Sequence, residues 1–133
     1  MLSLRTDYGC IELLSCDCCF VFSKFIRSAP PFIVLHKSNV KLLLNLLDSA
    51  LIIYKNIIRS SVNKRILYHK IIERDSRENT IVRLVVVTEN RTKALFLEKS
   101  TILSSVRPIR FFFSSNDNLQ EIQNLINHLD GIV

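Results

Sequence analysis

Two short motifs place a cation and an aromatic ring two positions apart in the sequence. Tyr68 is followed by Lys70, and Arg110 is followed by Phe112. Residues two positions apart share one face of a β-strand, so each motif would present a ring beside a positive charge. Rings that stack on unpaired bases, beside cations that meet phosphates, are the means by which proteins hold single-stranded nucleic acid. The same interface would include three further basic residues of the predicted strands: Arg83, Lys93 and Lys99.

Each of these residues also has a purely structural interpretation. Phe112 would be a core residue if its strand were buried on both faces, and Tyr68 would line the rim of the core. Arg83 lies among the β-branched residues of 81–87, where an unpaired buried charge would be costly. Its side chain must therefore reach either an open sheet face or an ion-pair partner.

The positive charge is concentrated in the central part of the chain. The formal net charge is +6 over 133 residues. Residues 55–110 hold thirteen Lys/Arg and five Asp/Glu, or +8, whereas residues 1–54 carry +1 and residues 111–133 carry −3. A basic block of this kind is typical of polyanion-binding proteins. A merely solvated surface is the alternative interpretation.

The scarcity of glycine excludes several classes of enzyme. The chain has only Gly9 and Gly131, whereas phosphate-binding loops need several glycines so that backbone amides can approach the anion. A nucleophile elbow needs two glycines that flank its serine. The three histidines and twelve carboxylates form no motif-spaced pair. We therefore expect a non-enzymatic protein that uses no cofactor.

All four cysteines lie within ten residues, at Cys10, Cys16, Cys18 and Cys19. Structural zinc usually takes two separated pairs of ligands, and neighbours on a strand point to opposite faces. We therefore predict no metal site and expect the cysteines to be small buried hydrophobes. A metal-binding cluster is the alternative.

The periodicity of the first half predicts strands that lead into a helix. Residues 10–25 are predicted to form a hairpin with its turn at Asp17, and Phe32–His36 a short strand. Ser38 and Asn39 have helix-capping side chains. They precede a predicted helix over residues 40–57.

The second half repeats this order. Strands are predicted over residues 65–73, 80–88, 93–99 and 108–114, followed by a helix over 118–129. Shifted by 79 positions, apolar residues of the first helix fall on those of the second, and Phe32 and Val34 fall on Phe111 and Phe113. We expect one α+β domain over 1–133, built from two repeats at about 1–59 and 62–133. Each repeat would have four strands and a helix, with antiparallel sheets packed on the two helices.

This organisation resembles the PUR domain and the related PC4-like and Whirly proteins. The resemblance is architectural, covers nearly the whole chain, and is carried by FIVLHKSN at 32–39 and IRFFFSSN at 109–116, each leading from a strand into a helix. The lysine-glycine-lysine signature of Whirly proteins is absent. The resemblance implies two intertwined repeats that bind single-stranded DNA or RNA across a sheet.

A second resemblance covers the second half alone. Consecutive strands that end near residue 114, followed by an amphipathic helix, resemble the end of a pleckstrin-homology or EVH1-type barrel. Such barrels bind peptides or phosphoinositides, and they form seven strands before their final helix. This alternative fold would make the chain a protein-interaction module.

The predicted first helix indicates a protein partner. Its polar positions form one narrow stripe, and almost all other positions are Leu or Ile, so the helix would need cover on nearly every side. A domain of this size has little material for that purpose. We therefore expect a homodimer, or a subunit of a larger assembly, with an interface at Leu42, Leu44 and Ile53.

No segment is predicted to cross a membrane. The longest apolar stretch, residues 40–58, contains Lys41, Asp48 and Lys55, which makes it too polar for a bilayer helix. The N-terminal residues lack the layout of a signal or transit peptide. We expect an intracellular location, in the cytoplasm or the nucleus, with an organelle as the alternative.

Overall fold

The chain forms four strands, one helix and four more strands within the residues described by a computed structural model, which are 3–6, 9–13, 19–23, 32–57, 62–102, 107–113 and 124. The first four strands are β1 (Ser3–Thr6), β2 (Gly9–Leu13), β3 (Cys19–Ser23) and β4 (Phe32–His36). The helix α1 spans Lys37–Lys55. The last four strands are β5 (Arg65–Asp75), β6 (Thr80–Glu89), β7 (Thr92–Thr101) and β8 (Ile109–Phe112).

The strands form two antiparallel sheets, each in chain order. The first sheet has the order β1-β2-β3-β4 and the second β5-β6-β7-β8. The predicted α+β class is therefore confirmed, as are the antiparallel pairing of the first hairpin and the strand Phe32–His36. The predicted turn at Asp17 lies outside the described residues. In the barrel-like alternative seven strands would precede one helix, whereas here α1 follows the fourth strand. The strand β1 was not expected from the sequence.

Each sheet contributes a cross-strand row of side chains to one shared core. Ile11, Phe22 and Ile33 are register neighbours in the first sheet, and all are at most 1% exposed. The corresponding row in the second sheet is Leu84, Leu97 and Phe111. The rings of Phe22 and Phe111 meet edge to face, with centroids 5.3 Å apart. Together with the buried side of α1, these rows form the main core.

The helix α1 begins three residues earlier than predicted. His36 is the N-cap, and its Nδ1 accepts a hydrogen bond from the amide of Ser38 at 3.2 Å. The predicted caps Ser38 and Asn39 lie inside the helix because the His36 side chain already satisfies the first turn. Among the predicted second-helix residues 118–129 only Asn124 is described, with helical backbone; the others lie outside the described residues.

The residues that the 79-position shift aligns in β4 and in the last strand differ in burial. Phe111 and Phe113 are buried, whereas Val34 is 39% exposed and Phe32 is half-buried. A shift of one residue moves every side chain of a strand to the opposite face. The residues of β4 that face the core are Ile33 and Leu35.

Asparagine and arginine take the backbone conformations usually left to glycine. Glu89 pairs with Thr92, so that Asn90 and Arg91 form a two-residue turn between β6 and β7. Their φ angles are 52° and 63°. Two positive φ values define a type I′ turn, which matches the twist of the flanking strands.

Candidate nucleic-acid interface

The seven residues predicted to bind nucleic acid are divided between the two faces of the second sheet. Arg83 and Arg110 lie opposite Glu98 from either side, and Phe112 lies opposite Phe96. These side chains are on the face away from α1. The other four share the face of the sheet that packs on α1: Tyr68, Lys70, Lys93 and Lys99. The structure therefore does not bring all seven residues onto one surface.

Tyr68 packs between β5 and α1. Its hydroxyl donates a hydrogen bond to the Leu46 carbonyl of the helix at 3.5 Å, and its ring lies against the main core. Burial raises the pKa of the phenol. These contacts match the rim position that was the structural interpretation of this residue.

Arg83, Glu98 and Arg110 form an ion-pair network across three strands. Arg83 Nη2 lies 2.6 Å from Glu98 Oε1, and Arg110 Nε lies 2.7 Å from Glu98 Oε2. The carboxylate is 2% exposed, whereas the arginine side chains are 30% and 39% exposed. Two guanidinium groups thus share one buried carboxylate, so the three-residue network carries a net charge of +1.

The two arginines set the ionisation of Glu98. Burial by itself raises the pKa of this carboxyl. Hydrogen bonds from Arg110 and Arg83, together with their charges, outweigh burial and hold the pKa below its usual value of 4.5. Arg83 thereby has the ion-pair partner that its β-branched surroundings require.

Phe112 belongs to a small second apolar cluster on the same face. The cluster contains Val85, Val87 and Phe96, with Phe112 packed against it. The rings of Phe96 and Phe112 have centroids 5.4 Å apart, and the Arg110 guanidinium carbon lies 4.8 Å above the Phe96 ring. Phe112 itself is half-buried, so part of its surface remains accessible.

Phe112 also forms part of the wall of two cavities. One cavity of about 330 Å³ is lined by Arg107, Pro108, Arg110 and Phe112. We name these four residues the β8 surface. Arg107 was not predicted as a binding residue, because the alternation of side chains along a strand does not apply to a residue that precedes the strand. Its position next to Pro108, a strand-edge residue, was the available signal.

The second cavity lies at the end of α1 and has a volume of about 400 Å³. We name it the α1-end cavity. Lys93 Nζ donates a hydrogen bond to the carbonyl of Tyr54 at 3.0 Å and lies 4.5 Å from the centre of the Tyr54 ring. The cavity is lined by Tyr54, Lys93, Ala94, Leu95, Phe112 and Phe113.

The described basic residues of the second half are spread over both edges and both faces of the sheet. Arg65, Lys70 and Arg74 lie on the edge strand β5, and Arg91 lies in the turn between β6 and β7. Arg107 and Arg110 lie at the opposite edge of the sheet, beside β8. A candidate site is therefore defined by position at β8 rather than by the total charge of the block.

The predicted interface residues of α1 have different environments. Leu42 is 40% exposed, Leu44 is 7% exposed and belongs to the core, and Ile53 is half-buried against the core. One side of α1 is exposed in the described structure and is mostly polar, and the expected partner at this helix stays a prediction. That side consists of Lys41, Leu42, Asn45, Asp48, Ser49, Ile52 and Lys55.

The described residues were also compared with the requirements of a metal site and of a membrane-spanning helix. They contain no cluster of three or more His, Cys, Asp or Glu side chains that could hold a metal ion. The Sγ atom of Cys10 lies 3.1 Å from Ser23 Oγ in the buried first sheet; Cys16 and Cys18 lie outside the described residues. No helix in the described part of the chain is long and apolar enough to cross a membrane.

No protein-family model matches the chain, and no curated protein or solved structure is significantly similar to it. Its function must therefore be inferred from the placement of its own residues.

Proposed function

We propose that the protein binds single-stranded nucleic acid, DNA or RNA, at the β8 surface. The observation that carries the proposal is the position of Phe112, a half-buried ring that shares one cavity with Arg107 and Arg110. An accessible ring can stack on a base, and neighbouring arginines can donate hydrogen bonds to phosphate oxygens. Both parts of a nucleotide would thus be held within one small site.

The ion pair with Glu98 holds the Arg110 guanidinium in place for phosphate binding. An arginine carries five N–H donors, and Arg110 directs its Nε to Glu98. The hydrogen bond to Glu98 uses Nε and not the terminal amino groups, although the guanidinium also lies over the Phe96 ring. The Arg107 side chain is exposed beside it. A guanidinium that is already held in place loses less conformational freedom when a phosphate binds.

The accessible ring favours single strands over duplexes. In a duplex the bases are stacked on one another, so a protein ring meets a base face only where the strand is unpaired. The cavity beside Phe112 is lined by Arg107, Pro108 and Arg110, and binding alone is proposed.

We also propose the finer arrangement of two tandem repeats, related in architecture to PUR-like and PC4-like proteins. Two sheets of identical strand order support it. Leu84, Leu97 and Phe111 follow Ile11, Phe22 and Ile33 by 73, 75 and 78 positions, and each set is a buried cross-strand row. The growing shift approaches the 79 positions that relate the helical patterns.

A salt series tests the proposed binding. Fluorescence anisotropy of a labelled single-stranded oligonucleotide should show tight binding. The logarithm of the association constant should fall steeply as the logarithm of the salt concentration rises. Arg107→Gln should weaken binding and make the slope less negative by about 0.7, the value for one phosphate contact on a single strand. Arg74→Gln removes the same charge from the opposite edge of the sheet and should leave the slope nearly unchanged. Absence of binding at low salt would overturn the proposal.

A further inference from the structure

The α1-end cavity combines flat apolar walls with one cation. Tyr54 and Phe112 contribute rings, and the buried Leu95 and Phe113 are 1% and 4% exposed. Its volume of about 400 Å³ lies within the usual range for small-molecule sites, roughly 300–1,000 Å³. The cavity can therefore hold a ring-sized group without rearrangement of the strands.

Lys93 supplies the polar contact of this cavity. Its ammonium has three donors, one of which goes to the Tyr54 carbonyl. The bonded carbonyl fixes the head group at the end of α1, where the helix dipole favours a positive charge. A ligand for this site needs a flat, largely apolar body with a hydrogen-bond acceptor on its edge, which is the chemistry of a nucleobase.

The wall shared by the two cavities indicates where such a base would come from. Phe112 lines both the α1-end cavity and the β8 surface. A strand whose phosphates lie at Arg107 and Arg110 would pass beside the second cavity. We propose that the α1-end cavity takes one unstacked base of the bound strand, with Lys93 donating to an acceptor on its edge. This inference rests on the proposed function.

Two oligonucleotides of equal length and charge test the inference. One is an ordinary single strand and the other carries abasic sugars throughout, so that it keeps the phosphates but offers no bases. Ala94→Leu enlarges a side chain that lines the cavity beside Phe112, and Lys93→Met removes the ammonium while keeping the length of an exposed side chain. Each variant should weaken binding of the ordinary strand by about tenfold, the effect of one lost base contact. Ala94→Leu should leave binding of the abasic strand unchanged.

The controls separate this inference from the proposed function. Lys70→Met removes the same charge from β5 on the same face of the sheet, and should affect both oligonucleotides equally and weakly. Thermal unfolding checks that each variant folds. If Ala94→Leu does not fold, Lys93→Met alone tests the inference. If Ala94→Leu and Lys93→Met bind the ordinary strand as tightly as the wild type, while Arg107→Gln binds it more weakly, the base pocket is overturned. The proposed binding at the β8 surface would then still stand. Absence of binding by the wild-type protein would overturn both proposals.

Discussion

Arg110 and Glu98 face each other on neighbouring strands, with Arg110 Nε 2.7 Å from Glu98 Oε2. The Glu98 side chain is almost fully buried, whereas the Arg110 side chain is 39% exposed. Arg83 binds the other carboxylate oxygen. One buried acid thus anchors two partly exposed cations across β6, β7 and β8, and it positions Arg110 beside the accessible ring of Phe112.

Removal of this charge should destabilise the second sheet. Glu98→Gln keeps the shape of the side chain but loses the charged hydrogen bonds to both arginines, each of which is stronger than a neutral one. We expect the free energy of unfolding in urea at neutral pH to fall by about 1–3 kcal/mol. Glu78→Gln, in the exposed turn after β5, is the matched control and should change stability little.

The effect of Glu98→Gln should depend on pH. The pKa of Glu98 is lower in the folded protein than its usual value of 4.5, so the folded state binds this proton less tightly than the unfolded chain. The stabilising contribution is therefore complete above about pH 4.5 and is lost as the pH falls through the lower folded pKa. Urea unfolding at a series of pH values should show that the free energies of unfolding of the wild type and the variant converge as the pH falls. A constant difference across this range would contradict the assignment.

The contact between Phe22 and Phe111 should couple the two sheets energetically. The rings are edge to face at 5.3 Å, one from each sheet. A double-mutant cycle with Phe22→Leu and Phe111→Leu should give a coupling energy of about 0.5–1.5 kcal/mol. Chemical denaturation of the four proteins measures it. Additive effects of the two substitutions would show that the sheets do not meet at these rings.

The turn between β6 and β7 should tolerate glycine better than its present residue. Arg91 has a φ of 63°, where a side chain with a Cβ atom is disfavoured by about 1–2 kcal/mol. Part of the gain from glycine is offset by the greater freedom of the unfolded chain. Arg91→Gly should therefore raise the free energy of unfolding by about 0.5–1 kcal/mol. A loss of stability in the same denaturation assay would argue against a type I′ turn.

The sequence predicted the elements of the fold better than their faces. Alternating apolar residues located β4 within its observed bounds and the later strands within about two residues, because burial of one face imposes that period. The helix start was missed because His36 caps it, and histidine is not among the common capping residues. Sequence spacing also could not show that Phe111 faces the main core and is fully buried, whereas Phe112 on the other face is half-buried.

The candidate site was predictable in part. The pairing of Arg110 with Phe112 was found from a spacing of two, which is a local property of a strand. Arg107 and the Lys93 contact with Tyr54 depend on residues far apart in the chain, so no local pattern could reveal them. The same limit explains why Tyr68, which has an equivalent local pattern, packs on α1 instead.

Phe112→Leu tests whether the accessible ring at the β8 surface binds unpaired bases. Leucine keeps an apolar side chain in the second cluster but removes the stacking ring. Phe32→Leu, at a half-buried ring in the first sheet, is the control. Anisotropy titrations should show that the wild type prefers a single strand to a duplex, and that Phe112→Leu alone weakens single-strand binding by about tenfold. Equal affinities of the wild type and Phe112→Leu for the single strand would contradict the account.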